Sequence, residues 1–321
     1  MRARARRIFT PHTSRAGRAA RAALLLAAAL LALLPSSHSR AQKQSDDDDD
    51  VVRVESELVV LNVTVTDKQG RYVHKIARPD FKVFEDGREQ TVSLFSVEET
   101  PFAAAILLDT SGSMESRLTL ARGAAIRFLE GMREEDVASV YNFYSEVEQL
   151  QDFSPGRDLP PVAYQLHSVG MTALNDAVVR AAKDLAQRPE KRHAVILLTD
   201  GLDTKSAATA EKALNAALAA NATIYTVDMI DPQAKAMDKM QAAGALKYFA
   251  SKSGGRYISS PGGQALDKAF DEIREELSNQ YTLGYRPLNR ARDGRWRKIE
   301  LKLARPELNA RTRDGYRAPK S

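Results

Sequence analysis

The sequence contains no cysteine in its 321 residues. This absence excludes disulfide bonds, thiolate metal ligands, a cysteine nucleophile and a lipidated amino-terminal cysteine. A protein without such cross-links has to be stabilised by its own core. With 43% hydrophobic residues, the chain is apolar enough to build one, and its length suits one large domain with accessory segments or two domains.

An excess of positive charge is missing from most of the chain, although the whole sequence has a formal charge of +5. Residues 1–41 hold eight arginines and no acidic residue, so the remainder has 39 basic and 42 acidic residues and a net charge of −3. Because binding to nucleic acid depends on a basic surface, we expect no nucleic-acid partner.

The arginine-rich start has the features of a secretory signal peptide. An apolar run of 13 residues (22–34) is followed by small residues that suit cleavage after Ala41. This run is shorter than the ~20 residues of a membrane-spanning helix. We therefore expect an exported protein, periplasmic, secreted or at the cell surface, without a stable transmembrane span after cleavage of residues 1–41. An uncleaved membrane anchor is the alternative.

The rest of the chain divides into β-rich ends and a different centre. Residues 42–50 include five consecutive aspartates, which indicate a solvated acidic linker. Residues 51–100 and 280–321 contain the alternation of apolar and polar residues that is typical of half-buried strands. Because neither segment is long enough to bury a good core alone, we expect both to form one β-sandwich into which residues 101–279 are inserted.

The central segment alternates between short apolar strands and helices with one apolar face. Strands are predicted at residues 103–108, 137–143, 194–198 and 223–227. Strands that are apolar along their whole length are usually covered on both faces. The pattern predicts an α/β fold with a doubly wound, mainly parallel sheet.

Side chains with oxygen atoms cluster where these strands end. Asp109, Ser111 and Ser113 follow the first strand at alternate positions, Thr172 lies just before a predicted helix, and Asp200 follows the third strand. Doubly wound folds bind ligands beyond the carboxyl ends of their strands. We therefore expect these five side chains to converge on one point.

All five side chains are hard oxygen donors, which favour Mg²⁺ or Mn²⁺ over softer metals. Neutral hydroxyl ligands would leave most of the charge of the ion uncancelled, so the ion would accept another anionic oxygen from a second molecule. The alternative is a strand-end turn in which Asp and Ser cap helices, but capping accounts for one or two of these residues and not for five.

The five residues, in this order and context, resemble the metal-ion-dependent adhesion site of the von Willebrand factor type A family. The resemblance spans residues 102–279. It implies that Ser111, Ser113 and Thr172 are direct metal ligands, and that Asp109 and Asp200 act through water and by orienting the hydroxyls. It also implies a protein partner whose carboxylate completes the metal shell.

The flanking segments resemble a narrower group, the von Willebrand factor type A-related proteins of acidobacteria. The resemblance lies in residues 80–87, 279–285 and 290–294. It implies export but no particular ligand.

Signatures of catalysis are missing. The sequence has neither a G-x-S-x-G elbow nor a P-loop, and Ser111 stands where a phosphatase with Asp109 as nucleophile would have a second aspartate. Outside the leader, His74 and His193 are expected at a surface or an edge, and His167 in a loop.

We therefore predict a metal-dependent binding or adhesion protein and not an enzyme. Two alternatives stay open: a structural or assembly subunit of an envelope complex that does not depend on metal, and an exported hydrolase. Asp203 and Thr204 either line the rim of the metal face or cap a helix expected from about Lys205 to Ala220.

Overall fold

The computed structural model of the protein describes residues 58–97, 100–259 and 263–320, and these all fall within one compact unit. The predicted signal peptide and acidic linker lie outside the described residues. In the part of the chain that is described, no helix is both long enough and apolar enough to cross a bilayer.

Among the described residues, strands occur from Val59 to Arg317, whereas the α-helices lie between Leu118 and Ser278. The strands are β1 (Val59–Thr66), β2 (Phe81–Glu85), β3 (Arg88–Gln90), β4 (Val92–Ser96), β5 (Phe102–Asp109), β6 (Val137–Phe143), β7 (Val147–Ser154), β8 (Arg192–Thr199), β9 (Ala222–Asp228), β10 (Tyr257–Ser259), β11 (Tyr281–Tyr285), β12 (Trp296–Leu303), β13 (Asn309–Arg311) and β14 (Gly315–Arg317). The α-helices are α1 (Leu118–Glu130), α2 (Leu174–Leu185), α3 (Ala210–Ala219), α4 (Ala236–Ser253) and α5 (Gln264–Ser278).

The central sheet has six strands in the order β10-β9-β8-β5-β6-β7. All neighbours are parallel except β6 and β7, which are antiparallel. Helices α1 and α5 pack on one face of the sheet, and α2, α3 and α4 pack on the other. Because helices cover both faces, every residue of β5 is buried. The predicted α/β, doubly wound fold is confirmed.

The two ends of the chain combine in a β-sandwich. Its sheets have the strand orders β13-β1-β11-β4 and β14-β12-β2-β3. In the first sheet β1 pairs with β11, and in the second β2 pairs with β12, so each sheet mixes strands from before and after the central segment. Both sheets contribute to one apolar core, which includes Leu61, Val83, Leu283 and Ile299. The predicted flanking sandwich is therefore present.

The central segment differs from the sequence-based expectation in its edge strands and in one helix. Strands β7 and β10, the two edges of the sheet, are absent from that expectation, because β7 lacks a continuous apolar run and β10 has only three residues. The helix expected from about Lys205 begins at Ala210, where the Thr209 side chain caps it by accepting a hydrogen bond from the Lys212 N–H.

Candidate metal centre

Asp109 ends strand β5 and is completely buried. One carboxylate oxygen accepts a hydrogen bond from the Ser111 N–H at 2.8 Å, and the other accepts one from the Thr199 hydroxyl at 2.5 Å. Burial raises the pKa of Asp109 to about 6. The hydrogen bonds from Ser111 and Thr199 oppose this rise, and the charge of Asp200 adds to it. The carboxylate is therefore held in one orientation by the turn that follows β5 and by the end of the neighbouring strand β8.

Ser111 and Ser113 lie in the turn that follows Asp109. Their Oγ atoms are 3.2 Å apart. Ser111 is buried, whereas Ser113 is exposed. A single turn of 3-10 helix, Gly112–Met114, places the two hydroxyls side by side. One hydroxyl of this serine pair is therefore buried at the end of the sheet, and the other is open to solvent.

Thr172 belongs to a segment, residues 169–173, that is tied to this turn. The Val169 N–H donates to the Thr110 carbonyl at 2.9 Å, and the Gly112 N–H donates to the Gly170 carbonyl at 3.3 Å. Gly170 has a φ of +71°, and a Cβ at this position would come within 2.6 Å of the Ser145 Oγ. Only glycine allows this close approach without strain. The buried Thr172 is thereby held on the loop next to the serine turn.

Asp200 is the first residue after β8 and is also buried. One of its carboxylate oxygens lies 3.4 Å from the Leu202 N–H. Its charge acts on Asp109 closely enough to raise the pKa of that residue. Since β5 and β8 are parallel neighbours, the two carboxylates stand at adjacent strand ends.

The five predicted site residues thus occupy three neighbouring loops at the carboxyl edge of the central sheet. Within the described residues, no group of three or more His, Cys, Asp or Glu side chains is arranged to hold a metal ion. A metal at this edge would therefore need the hydroxyl groups as ligands. Two carboxylates and three hydroxyls supply hard oxygen atoms, which fit Mg²⁺ or Mn²⁺.

Asp203 and Thr204 have a role that sequence reasoning missed. The Asp203 carboxylate accepts a hydrogen bond from the Asn175 N–H at 2.8 Å, at the start of α2. The Thr204 hydroxyl accepts one from the Thr172 N–H at 2.9 Å, and the Thr204 N–H donates to the Thr172 carbonyl at the same distance. The expectation that they cap the following helix is wrong. They join the loop after β8 to the segment that carries Thr172.

His193 also differs from the expectation of a surface or edge position. It lies within β8 and is 7% exposed, and its Nδ1 is 2.6 Å from the Ala220 carbonyl oxygen. It sits near the amino end of β8, and Asp200 follows the opposite end of that strand. His193 is therefore remote from the candidate site.

Comparison with known proteins identifies a family for the segment that contains the site. Residues 104–202 match the family described as von Willebrand factor type A domain. A search of curated proteins finds no match. The narrower resemblance to acidobacterial proteins remains a prediction.

Several solved structures are similar to the chain. The PilB minor pilin from Streptococcus sanguinis is 15% identical, with a TM-score of 0.42, over 56% of this chain and 61% of that one. An aerotolerance-related membrane protein from Bacteroides fragilis is 16% identical, with a TM-score of 0.43, over 56% of this chain and 98% of that one. A von Willebrand factor type A protein from Catenulispora acidiphila is 12% identical, with a TM-score of 0.45, over 78% and 76%.

The chain spans 61% of the length of the PilB structure. The family match, by contrast, covers a continuous segment that includes all five candidate site residues. The similarity to the von Willebrand factor type A domain family is therefore shown for residues 104–202 of the chain.

Proposed function

We propose that the chain is an exported binding protein that holds Mg²⁺ or Mn²⁺ at the carboxyl edge of its central sheet and recognises a carboxylate of a protein ligand through this ion. The observation that carries the proposal is the pair of Ser111 and Ser113 hydroxyls, 3.2 Å apart, beside the buried and oriented Asp109 carboxylate.

In this proposal the five residues have two kinds of role. Ser111, Ser113 and Thr172 bind the ion directly. Asp109 and Asp200 orient these hydroxyls and bind the ion through water. The Thr199 hydroxyl supports Asp109, because it donates to the carboxylate and accepts a hydrogen bond from the Gly201 N–H at 3.0 Å.

The bound ion would supply a strong attraction for an additional anionic oxygen. Three neutral hydroxyl ligands cancel little of its charge, and the exposed Ser113 leaves one side of the site open to solvent. This set of metal ligands favours the binding of a partner over catalytic turnover of a substrate. An assembly subunit with the same fold would bind its partner equally well without metal, and the two functions can therefore be separated by experiment.

Calorimetric titration of the mature chain, residues 42–321, with Mg²⁺ and Mn²⁺ tests the proposal. We expect saturable binding to the natural sequence. The double variant Asp109→Ala/Thr172→Ala removes an orienting carboxylate and a direct ligand, so its affinity should fall by more than roughly 100-fold. Circular dichroism checks that the variant is folded.

Asp231→Ala is the matched control. Asp231 lies after β9, at the same edge of the sheet, but is exposed and accepts a hydrogen bond from the Gln233 N–H at 2.7 Å. This variant should bind metal as the natural sequence does. If the natural sequence shows no saturable binding even at millimolar metal, the metal-dependent function is wrong and the assembly role becomes the better explanation.

A further inference from the structure

Two exposed apolar side chains stand directly beside the candidate metal site. Val169 is 50% exposed and Met171 is 47% exposed. They flank Gly170, whose carbonyl accepts a hydrogen bond from the serine turn, and Met171 precedes Thr172. Single exposed hydrophobic residues are common on protein surfaces. Val169 and Met171 differ from such scattered residues because hydrogen bonds hold their backbone next to the candidate metal site.

The backbone around Val169 and Met171 is anchored at successive residues. The Val169 N–H donates to the Thr110 carbonyl at 2.9 Å, and the Met171 N–H donates to the Ser145 hydroxyl at 3.0 Å. The Thr172 N–H then donates to the Thr204 hydroxyl. Turning either apolar side chain inward would break these bonds. The two side chains are therefore presented to solvent by a backbone that is already ordered, which lowers the entropy cost of binding.

Two more exposed apolar side chains lie at the same edge of the sheet. Met237 and Met240 lie within the first five residues of α4, which follows β9. The second turn of this helix supports the Asp200 loop, since a Cβ on Gly201 would come within 3.0 Å of the Ala242 carbonyl oxygen. Apolar side chains are therefore exposed at this edge of the sheet on the β6 side and on the β9 side.

We propose that the ligand is a protein segment in which an Asp or Glu side chain has an apolar side chain as a close neighbour. The proposal rests on the function proposed above and adds the chemistry of the partner. The carboxylate meets the metal while the neighbouring side chain covers Val169 and Met171. A small carboxylate or a purely acidic segment would leave these side chains in water and would bind more weakly.

Selection from a random peptide library on the immobilised mature chain tests this inference without a candidate ligand. Peptides are bound in Mg²⁺ and eluted with EDTA, so only metal-dependent binders are recovered. We expect the recovered peptides to be enriched in Asp or Glu with a Leu, Ile, Phe, Met or Tyr within two residues. The double variant Val169→Ser/Met171→Ser should bind a selected peptide at least roughly tenfold more weakly, because the apolar area buried by the ligand is lost.

The variant has to keep its metal affinity, since neither side chain is assigned to the ion. Leu288→Ser is the matched control, because Leu288 is 66% exposed on the sandwich, away from this edge. It should bind the peptide as the natural sequence does. Enrichment of acidic residues without apolar neighbours, or an unchanged affinity of the double variant, overturns the inference.

Calorimetry keeps the two proposals distinguishable. If metal binds but the library yields no metal-dependent peptide, the inference about the ligand is wrong and the metal site stands. If no metal binds at all, the proposed function fails first and the inference fails with it.

Discussion

Replacing Glu276 by alanine is expected to lower the free energy of unfolding by about 3 kcal/mol. Glu276 lies at the end of α5 and is 1% exposed. One carboxylate oxygen accepts hydrogen bonds from the Thr64 hydroxyl at 3.1 Å, the Tyr225 hydroxyl at 2.9 Å and the Arg311 guanidinium at 2.5 Å. Thr64 and Arg311 belong to the sandwich and Tyr225 to the central sheet, so this carboxylate joins the two parts.

The size of the effect follows from what the alanine would leave behind. The Tyr225 hydroxyl would be buried without an acceptor, and burial together with Glu276 raises the pKa of Tyr225 well above its usual value, so it stays protonated. Arg311 would lose its carboxylate partner, but it would keep its hydrogen bond to the Gly254 carbonyl, and its side chain is 34% exposed, so water would solvate it in part. The decrease in the free energy of unfolding should therefore lie near the lower end of the range for a broken buried ion pair, which is about 3–5 kcal/mol.

Urea unfolding followed by circular dichroism measures the effect, with Glu276→Gln as the comparison. Glutamine keeps an oxygen acceptor and the volume of the side chain but removes the charge, so it should cost only about 1 kcal/mol. If the free energy of unfolding of Glu276→Ala lies within about 1 kcal/mol of that of the natural sequence, this carboxylate does not stabilise the junction between the sandwich and the central sheet.

The fold could be predicted where the burial of a strand produces a simple pattern of apolar residues in the sequence. Strand β5 is covered on both faces, and its continuous apolar run is visible in the sequence. Strand β7 is exposed along much of its length and shows no such run. Alternation in β1 and β12 indicates which face of each strand is buried, but alternation carries no information about the neighbouring strand. The pairing of β1 with β11 and of β2 with β12 therefore had to come from the structure.

The positions of the five candidate residues could be predicted because four of them lie at or just after the ends of β5 and β8, and Thr172 lies just before α2. The hydrogen bonds that support these residues could not be predicted from the sequence. The hydrogen bond from the Thr172 backbone to Thr204 joins two loops that are 32 positions apart in the sequence. Thr199 supports Asp109 across 90 positions. Such contacts depend on the packing of separate strands, and nothing in the local sequence indicates them.

Arg192 is the second residue whose replacement should strongly destabilise the protein. It is completely buried at the start of β8. Its guanidinium donates to the Val97 and Thr100 carbonyls, at 3.3 and 3.4 Å, where the chain enters the central sheet. It also donates to the Leu277 carbonyl at 3.3 Å, to the Gln280 carbonyl and to the Thr282 hydroxyl, where the chain returns to the sandwich.

Arg192→Met is expected to lower the free energy of unfolding by about 3 kcal/mol, because each buried carbonyl left without a donor costs about 1–3 kcal/mol. The carbonyls of Leu277 and Gln280 belong to residues that are at most 1% exposed. For a chain of this size, the midpoint of thermal unfolding should fall by roughly 10 °C. Arg286→Met, at an exposed position of the sandwich, is the control and should change stability by less than about 0.5 kcal/mol.

Arg192→Lys separates the charge from the geometry of the guanidinium. A lysine ammonium is a single point of donation and cannot reach both chain crossings at once, whereas the planar guanidinium presents five donors in a fixed arrangement. The lysine variant should therefore be destabilised at least as much as the methionine variant, since it keeps a buried charge with fewer hydrogen bonds. A lysine variant as stable as the natural sequence would mean that charge alone, and not the bridging of the two crossings, holds the central domain on the sandwich.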